Sequence, residues 1–466
     1  MISINLKDLS EVVKGEIVGG TGQEIFSGCS IDSRKIGKGC LFIAIKGENK
    51  NGHQFIGEAV ARGAAGVLVS EGEEEAKKLP HPPAIIKVRD TLRALQDIAE
   101  NHARRHGAPV LGITGSNGKS TVKEMASAIL STRYAVLRNQ GNLNNHIGLP
   151  LTLLELDLRH EVAVLEMGMS GLGEIRRLCE IARPRFGVIT NIGTAHLEKL
   201  GSLDMVLKAK KELVDFLDER GTAVLNRDGY GFDALSKGVR GRVVTFGSGD
   251  DADYRARDVE FKDEGVEFTL VVRNKDSARC GIKAPGRHNL ANALCAAAAA
   301  GLMGMDAREI AKGLENYEPL PMRLQTVEWR GAAIINDAYN ANPESMAAAL
   351  EVLASRRTQG KRIFVEGDML ELGPYSDSAH EKIGKLAAER GIHLLITFGE
   401  KAALSGKAAV ENGMERDKVR SFNDPVEAGG FLRSVIKKGD CLLVKGSRGM
   451  KMERIIEKIM EKVEGD

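Results

Sequence analysis

The sequence predicts an α/β protein of three domains built on mostly parallel sheets. Its 466 residues exceed the usual length of one domain, and 42% of them are apolar, enough for several cores. Short apolar runs typical of buried strands alternate with segments of helical periodicity, as in repeated βαβ units. A glycine-rich turn stands between one such strand and helix at residues 112–121. We place the domains at residues 1–84, 85–317 and 318–466.

The composition argues against several classes of function. A formal charge of +2 and 4% aromatic residues give neither the field nor the stacking surface that nucleic-acid binding needs. The longest apolar run, near residues 294–305, is too short to span a bilayer, and the N-terminal residues lack a signal-peptide core. Six scattered cysteines without a C-x-x-C pair fit reduced thiols. We therefore expect a soluble cytoplasmic protein that binds no nucleic acid and does not insert into membranes.

Residues 1–84 are expected to form a small α/β module. Residues 39–45 and 67–69 are typical of strands, and residues 53–62 of a helix between them. A His-Pro-Pro string at 81–83 marks the boundary. Before the first of these strands, Asp32, Ser33 and Arg34 offer a hydroxyl and a guanidinium to an anionic ligand. A solvated polar turn is the alternative that the residues leave open.

The central domain is organised around the glycine-rich turn. Residues 109–113 are typical of a buried strand, and the apolar residues at 122, 125, 126, 129 and 130 predict one buried helix face. Such a turn offers backbone N–H groups to phosphate, a lysine to the β/γ-phosphates and a hydroxyl to Mg²⁺. Ile113 replaces the first glycine of the usual pattern, and an ordinary turn is the alternative. The candidate phosphate-binding residues are Gly115, Ser116, Asn117, Gly118, Lys119, Ser120 and Thr121.

Two polar side chains follow apolar runs of the same domain. Glu166 ends the run at 162–165, and His196 follows the run at 186–190. Ligands collect at the carboxyl ends of strands in open α/β sheets, so both are expected near the phosphates. Glu166 takes the place of an acid that holds Mg²⁺. A cap or ion pair for the glutamate, and a structural role for the histidine, are the alternatives.

Other polar segments allow two interpretations each. The stretch 139–150 contains four asparagines, including Asn142 and Asn145, which suit either a self-capping turn or a substrate cradle. Three lysines at 208, 210 and 211 fall on a helix that begins near residue 203, normally a solvated face. Asn289 stands at the start of an alanine-rich helix over residues 290–302, where an N-cap is the simpler reading.

The last domain alternates strands and helices without a G-x-G-x-x-G string. A strand at 334–335 leads to Asp337, Asn340 and Asn342, with Asn342 and Pro343 predicted as the N-cap and first residue of a helix over residues 344–353. Further strands are predicted at 362–365, 393–398 and 441–444. We expect a Rossmann-like, doubly wound sheet whose loops supply polar groups.

Taken together, these motifs resemble those of the Mur ligase family nearly end to end. Three features resemble the ATP domain of that family: the turn at 115–120, Glu166 and the string Thr-Ala-His-Leu-Glu at 194–198. The strings at 141–150, 337–343, 367–373 and 445–448 are similar to those of the members that add D-alanyl-D-alanine to UDP-N-acetylmuramoyl-tripeptide. The short Gly-x-x-Gly-Lys turn, which departs from the usual phosphate-loop pattern, is also typical of this family. The resemblance implies an ATP-dependent ligase of peptidoglycan precursor synthesis that forms an acyl phosphate and acts as a monomer.

The resemblance also implies a role for individual residues. Lys119 would hold the phosphates, Ser120 and Glu166 a first Mg²⁺, and His196 a second one with Lys210 as a carbamate. Asn289 would contact adenine, while Arg323 and Asp337 would clasp the nucleotide from the third domain. Ser33 and Arg34 match the uridine-diphosphate site, and the remaining substrate positions are Asn142, Asn145, Asn340 and Asn342. The family usually has a small residue at the position of Lys211, so the register at Lys210 rests on the neighbouring residues.

Three other functions are weighed against this one. The ligase that adds the third peptide residue usually carries an Asp-Asn-Pro-Arg string, which the sequence lacks. A folylpolyglutamate synthetase would have no use for a UDP-binding module. A P-loop regulatory ATPase would hydrolyse ATP without an amine acceptor, so phosphate release with and without the two ligase substrates separates the two classes.

Overall fold

The structure, a computed structural model, describes residues 3–47 and 49–461. The N-terminal elements are β1 (Ile4–Asn5), α1 (Leu6–Val13), β2 (Glu16–Gly19), β3 (Ile25–Phe26), β4 (Cys29–Ser30), β5 (Leu41–Ile43), α2 (Ile56–Ala61), β6 (Gly66–Val69), α3 (Glu73–Lys77) and β7 (Ala84–Lys87), with 3₁₀ turns at Ser33–Lys35 and Gly52–Phe55. β1 pairs with β3, and the other strands form a sheet in the order β2-β7-β6-β5-β4, parallel except at β2. Because β7 follows the His-Pro-Pro string, this sheet extends past residue 84.

A nine-stranded sheet forms the centre of the molecule. Its elements are α4 (Thr91–His106), β8 (Val110–Thr114), α5 (Lys119–Leu130), β9 (Val136–Arg138), α6 (Gly148–Leu153), β10 (Val162–Glu166), α7 (Glu174–Ala182), β11 (Phe186–Ile189), α8 (Leu197–Leu200), α9 (Leu203–Phe216), β12 (Thr222–Asn226), α10 (Phe232–Ser236), β13 (Arg242–Phe246), β14 (Tyr254–Lys262), β15 (Gly265–Val272), β16 (Asp276–Ile282), α11 (Arg287–Gly301) and α12 (Ala307–Glu315). The strand order is β16-β15-β14-β13-β12-β11-β8-β10-β9. Only β14–β16 pair antiparallel, as a meander at one edge.

The last part of the chain is a six-stranded sheet with helices on both faces. Its elements are β17 (Gln325–Trp329), β18 (Ala332–Asp337), α13 (Pro343–Ser355), β19 (Arg362–Gly367), α14 (Ser376–Glu389), β20 (Leu394–Phe398), α15 (Ala402–Glu411), β21 (Val419–Phe422), α16 (Pro425–Val435), β22 (Cys441–Lys445) and α17 (Glu453–Met460), with 3₁₀ turns at Gly373–Tyr375, Arg416–Lys418 and Arg448–Met450. The order is β17-β18-β22-β19-β20-β21, and only β17 is antiparallel to its neighbour. A separate apolar cluster fills each face. The predicted α/β class and doubly wound third sheet are confirmed.

The cores show how the first two sheets are joined. One cluster of buried apolar side chains runs without interruption from the N-terminal module to one face of the nine-stranded sheet. Helix α4 provides the connection, because it packs on α1 and also on α6 and α7. A second cluster fills the opposite face of the nine-stranded sheet, beneath α5 and α11. The N-terminal module is therefore fixed relative to the central sheet by a shared apolar core.

The helix that follows the glycine-rich turn has the predicted buried face. Val122, Met125, Ala126, Ile129 and Leu130 are all fully buried on α5. α5 packs against α11, whose small alanine side chains at 296–300 are also fully buried and allow the two helices to approach closely. α5 is therefore held firmly behind the turn that it follows.

Helix α11 corrects one prediction. It begins at Arg287 with Gly286 as its N-cap, three residues before the predicted start. Gly286 adopts a positive φ of 98°, which favours glycine at this corner. Asn289 therefore lies inside the first turn, and the N-cap interpretation of this residue is wrong.

Candidate active site

The glycine-rich turn connects β8 to α5 with the geometry of a phosphate-binding loop. Gly118 has a φ of 80°, and a Cβ atom there would overlap Oδ1 of Asn292. A Cβ atom at Gly115 would likewise overlap the hydroxyl of Thr190. Both positions thus require glycine. The first turn of α5 points free N–H groups and the positive end of its dipole into the space beyond the loop, which suits an anion.

A second loop, after β11, supports the first one. Asn191 accepts a hydrogen bond from the Asn117 N–H at 2.9 Å and donates to the Asn117 carbonyl at 3.0 Å. The hydroxyl of Ser116 bonds to Gly193 in both directions, at 2.8 and 3.0 Å. The side chains of Asn191 and Ser116 therefore hold the loop in shape. Asn191 escaped the sequence analysis because a single asparagine after a strand carries no distinctive pattern.

Lys119 lies partly buried across the loop. Its Nζ donates to the carbonyls of Gly115 at 2.8 Å and Ser116 at 3.3 Å. Burial lowers the pKa of Lys119, the charge of Arg323 lowers it further, and Glu166 acts in the opposite direction. Next to it, the hydroxyl of Ser120 accepts a hydrogen bond from Arg323 at 3.2 Å. A lysine and an arginine thus converge at the N-terminus of α5.

Glu166 ends β10, directly beside the end of β8, because the two strands are parallel neighbours. Asn144 Nδ2 donates to Glu166 Oε1 at 2.8 Å. Oε2 is buried and has no hydrogen-bond partner among the described residues. An anionic oxygen without a partner is costly to bury, and carboxylate oxygens are preferred Mg²⁺ ligands. Glu166 and the Ser120 hydroxyl therefore fit a divalent cation beside the loop.

His196 is held by a glutamate that the sequence analysis missed. Its Nδ1 lies 2.9 Å from Oε2 of Glu371, which belongs to the loop after β19 of the third domain. Burial and the charge of Lys119 lower the pKa of His196, and Glu371 acts in the opposite direction. His196 and Glu371 both have φ of 63°, an uncommon conformation for residues with side chains. His196 and Glu371 both line the cavity between the central and third domains.

Of the three clustered lysines on α9, Lys210 alone is buried. Its side chain is 1% exposed, whereas Lys208 is exposed and Lys211 forms an ion pair with Asp215. Among the described residues, Lys210 Nζ has neither a carboxylate nor a hydrogen-bond acceptor as partner. Burial, reinforced by repulsion from Lys119, places the pKa of Lys210 well below its usual value. Burial therefore favours the uncharged form of this amine, and the solvated-face interpretation is wrong for this residue.

The third domain brings Arg323 and Asp337 to the same place. Arg323 stacks on Tyr339, with its Cζ 4.2 Å from the ring centroid. Asp337 accepts a hydrogen bond from Lys445 Nζ at 2.6 Å and one from the Leu324 N–H at 3.1 Å. Lys445 and Asp337 are the last residues of neighbouring parallel strands, β22 and β18, and form a buried ion pair. Lys445 belongs to the family-like string at 445–448, but it was not predicted as a site residue.

The asparagines predicted to bind substrate have different surroundings. Asn342 is the N-cap of α13, as predicted, and its Nδ2 donates to Asn117 Oδ1 at 2.7 Å. Asn340 lines the cavity, and its carbonyl accepts a hydrogen bond from Lys445. Asn145 also lines it, and its Oδ1 accepts hydrogen bonds from the N–H groups of residues 147 and 148 at the start of α6. Asn142 is exposed and does not line the cavity, whereas Asn144 of the same loop does.

Two adjoining cavities lie between the central and third domains. The larger, about 450 Å³, contains Lys119, Ser120, Glu166, His196 and Arg323 in its wall. The other, about 290 Å³, is lined by Thr121, Asn289, Asn292 and Tyr317. Asn289 donates to the Pro285 carbonyl at 2.8 Å and accepts from Asn292 at 3.1 Å, which fixes its amide. Over residues 3–47 and 49–461, no three His, Cys, Asp or Glu side chains gather as a metal-binding group.

Ser33 and Arg34 lie in the N-terminal module and outside the lining of both cavities. The Ser33 hydroxyl donates to Glu58 at 2.9 Å. Arg34 is exposed and forms a two-point ion pair with Asp32, which lowers the pKa of that carboxyl. Within the described ranges, no helix combines the length and apolar content needed to cross a membrane, and all six cysteines are free.

Comparison with known proteins agrees with this architecture. Three family models match in succession: "Mur ligase family, catalytic domain" at residues 25–103, "Mur ligase middle domain" at 113–300 and "Mur ligase, glutamate ligase domain" at 322–448. A Bacillus subtilis protein named UDP-N-acetylmuramoyl-tripeptide--D-alanyl-D-alanine ligase is 38% identical over 99% of both chains.

Solved structures give the same result. MurF from Acinetobacter baumannii superposes with a TM-score of 0.90 at 30% identity, covering 99% of this chain and 100% of that one. MurF ligase from Thermotoga maritima in complex with ADP gives 0.80 at 28% identity, covering 93% and 97%. The family models together match most of the sequence, and the B. subtilis relative matches nearly all of it. The chain belongs to the Mur ligase family.

Proposed function

We propose that this protein is an ATP-dependent ligase that adds D-alanyl-D-alanine to UDP-N-acetylmuramoyl-tripeptide in peptidoglycan precursor synthesis. The observation that carries the proposal is the full-length similarity to the B. subtilis ligase of that name. The geometry agrees with it, because a phosphate-binding loop opens onto a polar cavity that two domains share. We place the reaction in the cytoplasm, and a monomer contains every proposed site residue.

The first step joins two groups that repel each other. The tripeptide carboxylate attacks the γ-phosphorus of ATP, the bond to the β-phosphate oxygen breaks, and an acyl phosphate and ADP result. Lys119 and Arg323 converge where this negative charge collects, and the N–H groups of Gly118 and the first turn of α5 add to the stabilisation. The main contribution of the chain is therefore charge stabilisation and alignment.

Mg²⁺ would be held by Ser120 and Glu166, and a second ion by His196 with a carbamate on Lys210. Bound there, Mg²⁺ neutralises phosphate charge. The unpartnered Glu166 Oε2 supports the first assignment. Lys210 supports the second, because only an uncharged amine adds to CO₂, with loss of one proton, to give a carbamate. The modification converts an unpartnered buried amine into two oxygen ligands.

In the second step the amine of D-alanyl-D-alanine attacks the acyl carbon, and phosphate leaves from a tetrahedral intermediate. No side-chain nucleophile is needed, because the acyl phosphate is already activated. We assign Asn340 and Asn342 to the dipeptide end of the cavity, and Asn145 to the tripeptide end with Asn142 at its rim. Asn289 and Asp337 are assigned to the nucleoside, and Ser33 and Arg34 of the N-terminal module to the uridine diphosphate.

Phosphate release tests this function. The purified protein is given ATP and Mg²⁺ with UDP-N-acetylmuramoyl-tripeptide, with D-alanyl-D-alanine, with both or with neither. We expect rapid release only with both, together with a UDP-pentapeptide product detected by mass spectrometry. Release that does not depend on either substrate would instead identify a regulatory ATPase.

Lys119→Ala tests the charge stabilisation. We expect turnover to fall about 10²-fold or more, because one preorganised electrostatic contact to a transition state is worth that much. Lys208→Ala, which removes an exposed lysine of α9, is the matched control and should be fully active. Near-normal turnover of the Lys119 variant would refute its role.

A further inference from the structure

The asparagine loop, residues 139–145, holds Glu166 from two directions. Asn144 donates to its Oε1 at 2.8 Å, and the fully buried Asn139 accepts from its N–H and donates to its carbonyl, both at 3.0 Å. We propose that Asn144 is a positioning residue that fixes the Glu166 side chain so that Oε2 is presented to a divalent cation. This inference rests on the proposed function only in assigning Glu166 to the metal.

The hydrogen bond from Asn144 decides between two partners for the carboxylate. Lys119 attracts Glu166 electrostatically, yet the two side chains form no ion pair, and Lys119 Nζ bonds to loop carbonyls instead. Oε1 is occupied by the Asn144 amide, which leaves Oε2 buried without a donor. Without that amide, the carboxylate could turn to Lys119 and form a buried ion pair. Such a pair would remove a metal ligand and a phosphate-binding cation at once.

The loop is anchored firmly enough for Asn144 to act in this way. Lys123, one turn after Lys119 on α5, is buried and donates to the Asn139 carbonyl at 2.6 Å. The Asn144 carbonyl accepts from the Gly168 N–H at 2.9 Å, and a Cβ atom at Gly168 would lie 2.9 Å from Asn144 Cγ. The loop is thus tied both to the phosphate-binding helix and to the turn after β10. Its attachment keeps Lys119 and Glu166 in a fixed relation.

Mn²⁺ binding in the presence of ADP tests the proposal without requiring ligation. Electron paramagnetic resonance of free Mn²⁺ gives the affinity of the full-length protein and of Asn144→Ala. We expect a loss of about 10- to 100-fold, as for other residues that hold a metal ligand in place. Glu166→Gln should lose at least as much, whereas Gln140→Ala, an exposed side chain of the same loop, should bind Mn²⁺ like the wild type.

A second measurement separates positioning from general damage to the loop. ADP affinity in the presence of EDTA should be unchanged in Asn144→Ala, because the phosphate-binding loop keeps its own support from Asn191. Asn144→Ser, whose short hydroxyl cannot reach Glu166, should lose Mn²⁺ affinity in the same way and replaces the alanine variant if that one unfolds.

The outcomes are distinguishable from those of the proposed function. Wild-type Mn²⁺ affinity in both Asn144 variants would overturn the proposal, and so would an unchanged affinity in Glu166→Gln. The proposal would also be overturned if the Asn144 variants lost as much ADP affinity without metal as they lose Mn²⁺ affinity. The loop would then have only a structural role. If the Mn²⁺ results are as expected but no UDP-pentapeptide forms, the proposed function fails and the positioning role stands.

Discussion

At the scale of single residues, burial gives Lys210 a chemistry that its neighbours lack. Lys208, Lys210 and Lys211 share one helix, but Val206, Ala209 and Leu213 around Lys210 are fully buried. A lysine inside such a face loses the stabilisation of its charge by water, so its pKa falls. The uncharged amine is a nucleophile, which is the property that carbamate formation requires.

Lys210→Ala should reduce ligase turnover about 10²-fold, because it removes the proposed carbamate oxygens. Short carboxylates such as formate should partly restore the activity, and bicarbonate should stimulate the wild type after CO₂ is removed. Activity assays of the variant across formate concentrations and of the CO₂-depleted wild type across bicarbonate concentrations measure the two effects, with Lys208→Ala as the unaffected control. A fully active alanine variant would show that the carbamate assignment is incorrect.

Glu366, on β19, is a fully buried acid that the proposed reaction does not use. Its Oε1 lies 2.8 Å from the Ser405 hydroxyl, which also bonds to the His380 carbonyl at 2.7 Å. Burial raises the pKa of Glu366 well above its usual value, and the nearby Asp368 adds to the effect. The hydrogen bond that Ser405 donates to Glu366 acts in the opposite direction on this pKa, because it favours the ionised carboxylate, but burial is the larger effect.

This acid should make stability fall as pH rises. In the unfolded chain Glu366 has a pKa near 4.5 and releases its proton above that pH. The folded state, with its raised pKa, keeps the proton to higher pH. The free energy of unfolding of wild type relative to Glu366→Gln should therefore decrease from about pH 4.5 upward. Urea unfolding from pH 5 to 8 measures it, with Glu381→Gln, an exposed acid on α14, as control. A difference that does not change with pH would contradict the prediction.

At the scale of elements, the first turn of α13 has two roles. Asn342 and Ser345 form a capping box, and Pro343 follows at the first helical position. The same Asn342 side chain reaches the phosphate-binding loop at Asn117. Glu344, in the same turn, accepts hydrogen bonds from the N–H and hydroxyl of Thr194 at 2.9 and 2.7 Å. The helix start thus stabilises its own helix and the domain interface together.

Asn342→Ala should separate these roles when compared with Asp306→Ala, which removes the capping box of α12 away from the cavities. Both variants should lose about 0.5–2 kcal/mol of unfolding free energy, the usual cost of a lost N-cap. Only Asn342→Ala should also weaken ATP binding severalfold, because Asn117 loses its partner. Denaturant unfolding and nucleotide titration give the two quantities. An equal effect of both variants on ATP binding would leave Asn342 with the capping role alone.

At the scale of the whole molecule, the site exists because two domains meet. Among the described residues, side-chain contacts cross the boundary beside the cavity, and the third domain supplies one partner of each. They join Arg323 to Ser120, Asn342 to Asn117, Glu344 to Thr194 and Glu371 to His196. Hydrogen bonds of this kind at a polar domain interface are readily exchanged for water, so relative motion of the domains is expected. Ligands that touch both domains should favour the arrangement in which they meet.

Small-angle X-ray scattering tests this closure. An ATP analogue with UDP-N-acetylmuramoyl-tripeptide should shift the protein towards more compact forms. Glu344→Ala should require more ligand for the same shift, because it loses both hydrogen bonds to Thr194. Scattering of the wild type that is unchanged by saturating ligands would refute closure.

Local patterns in the sequence were enough for the parts of the fold that depend on near neighbours. The apolar spacing of α5, the strand that ends at Glu166 and the cap at Asn342 all follow from residues close in the chain, and all are confirmed. The start of α11 was wrong because Gly286 begins the helix through its own backbone conformation. The partners Asn144, Asn191, Glu371 and Lys445 were missed because each meets its site residue across a large separation in sequence.

The sequence by itself determined the α/β class, the phosphate-binding turn and the family, since these depend on periodicity and on motifs of a few adjacent residues. Only the tertiary structure decided which of three clustered lysines is buried, which asparagine holds Glu166 and which carboxylate meets His196. Such choices depend on burial and on contacts between strands and domains, in which residues far apart in the chain share one low-dielectric space. One-dimensional patterns do not encode that proximity.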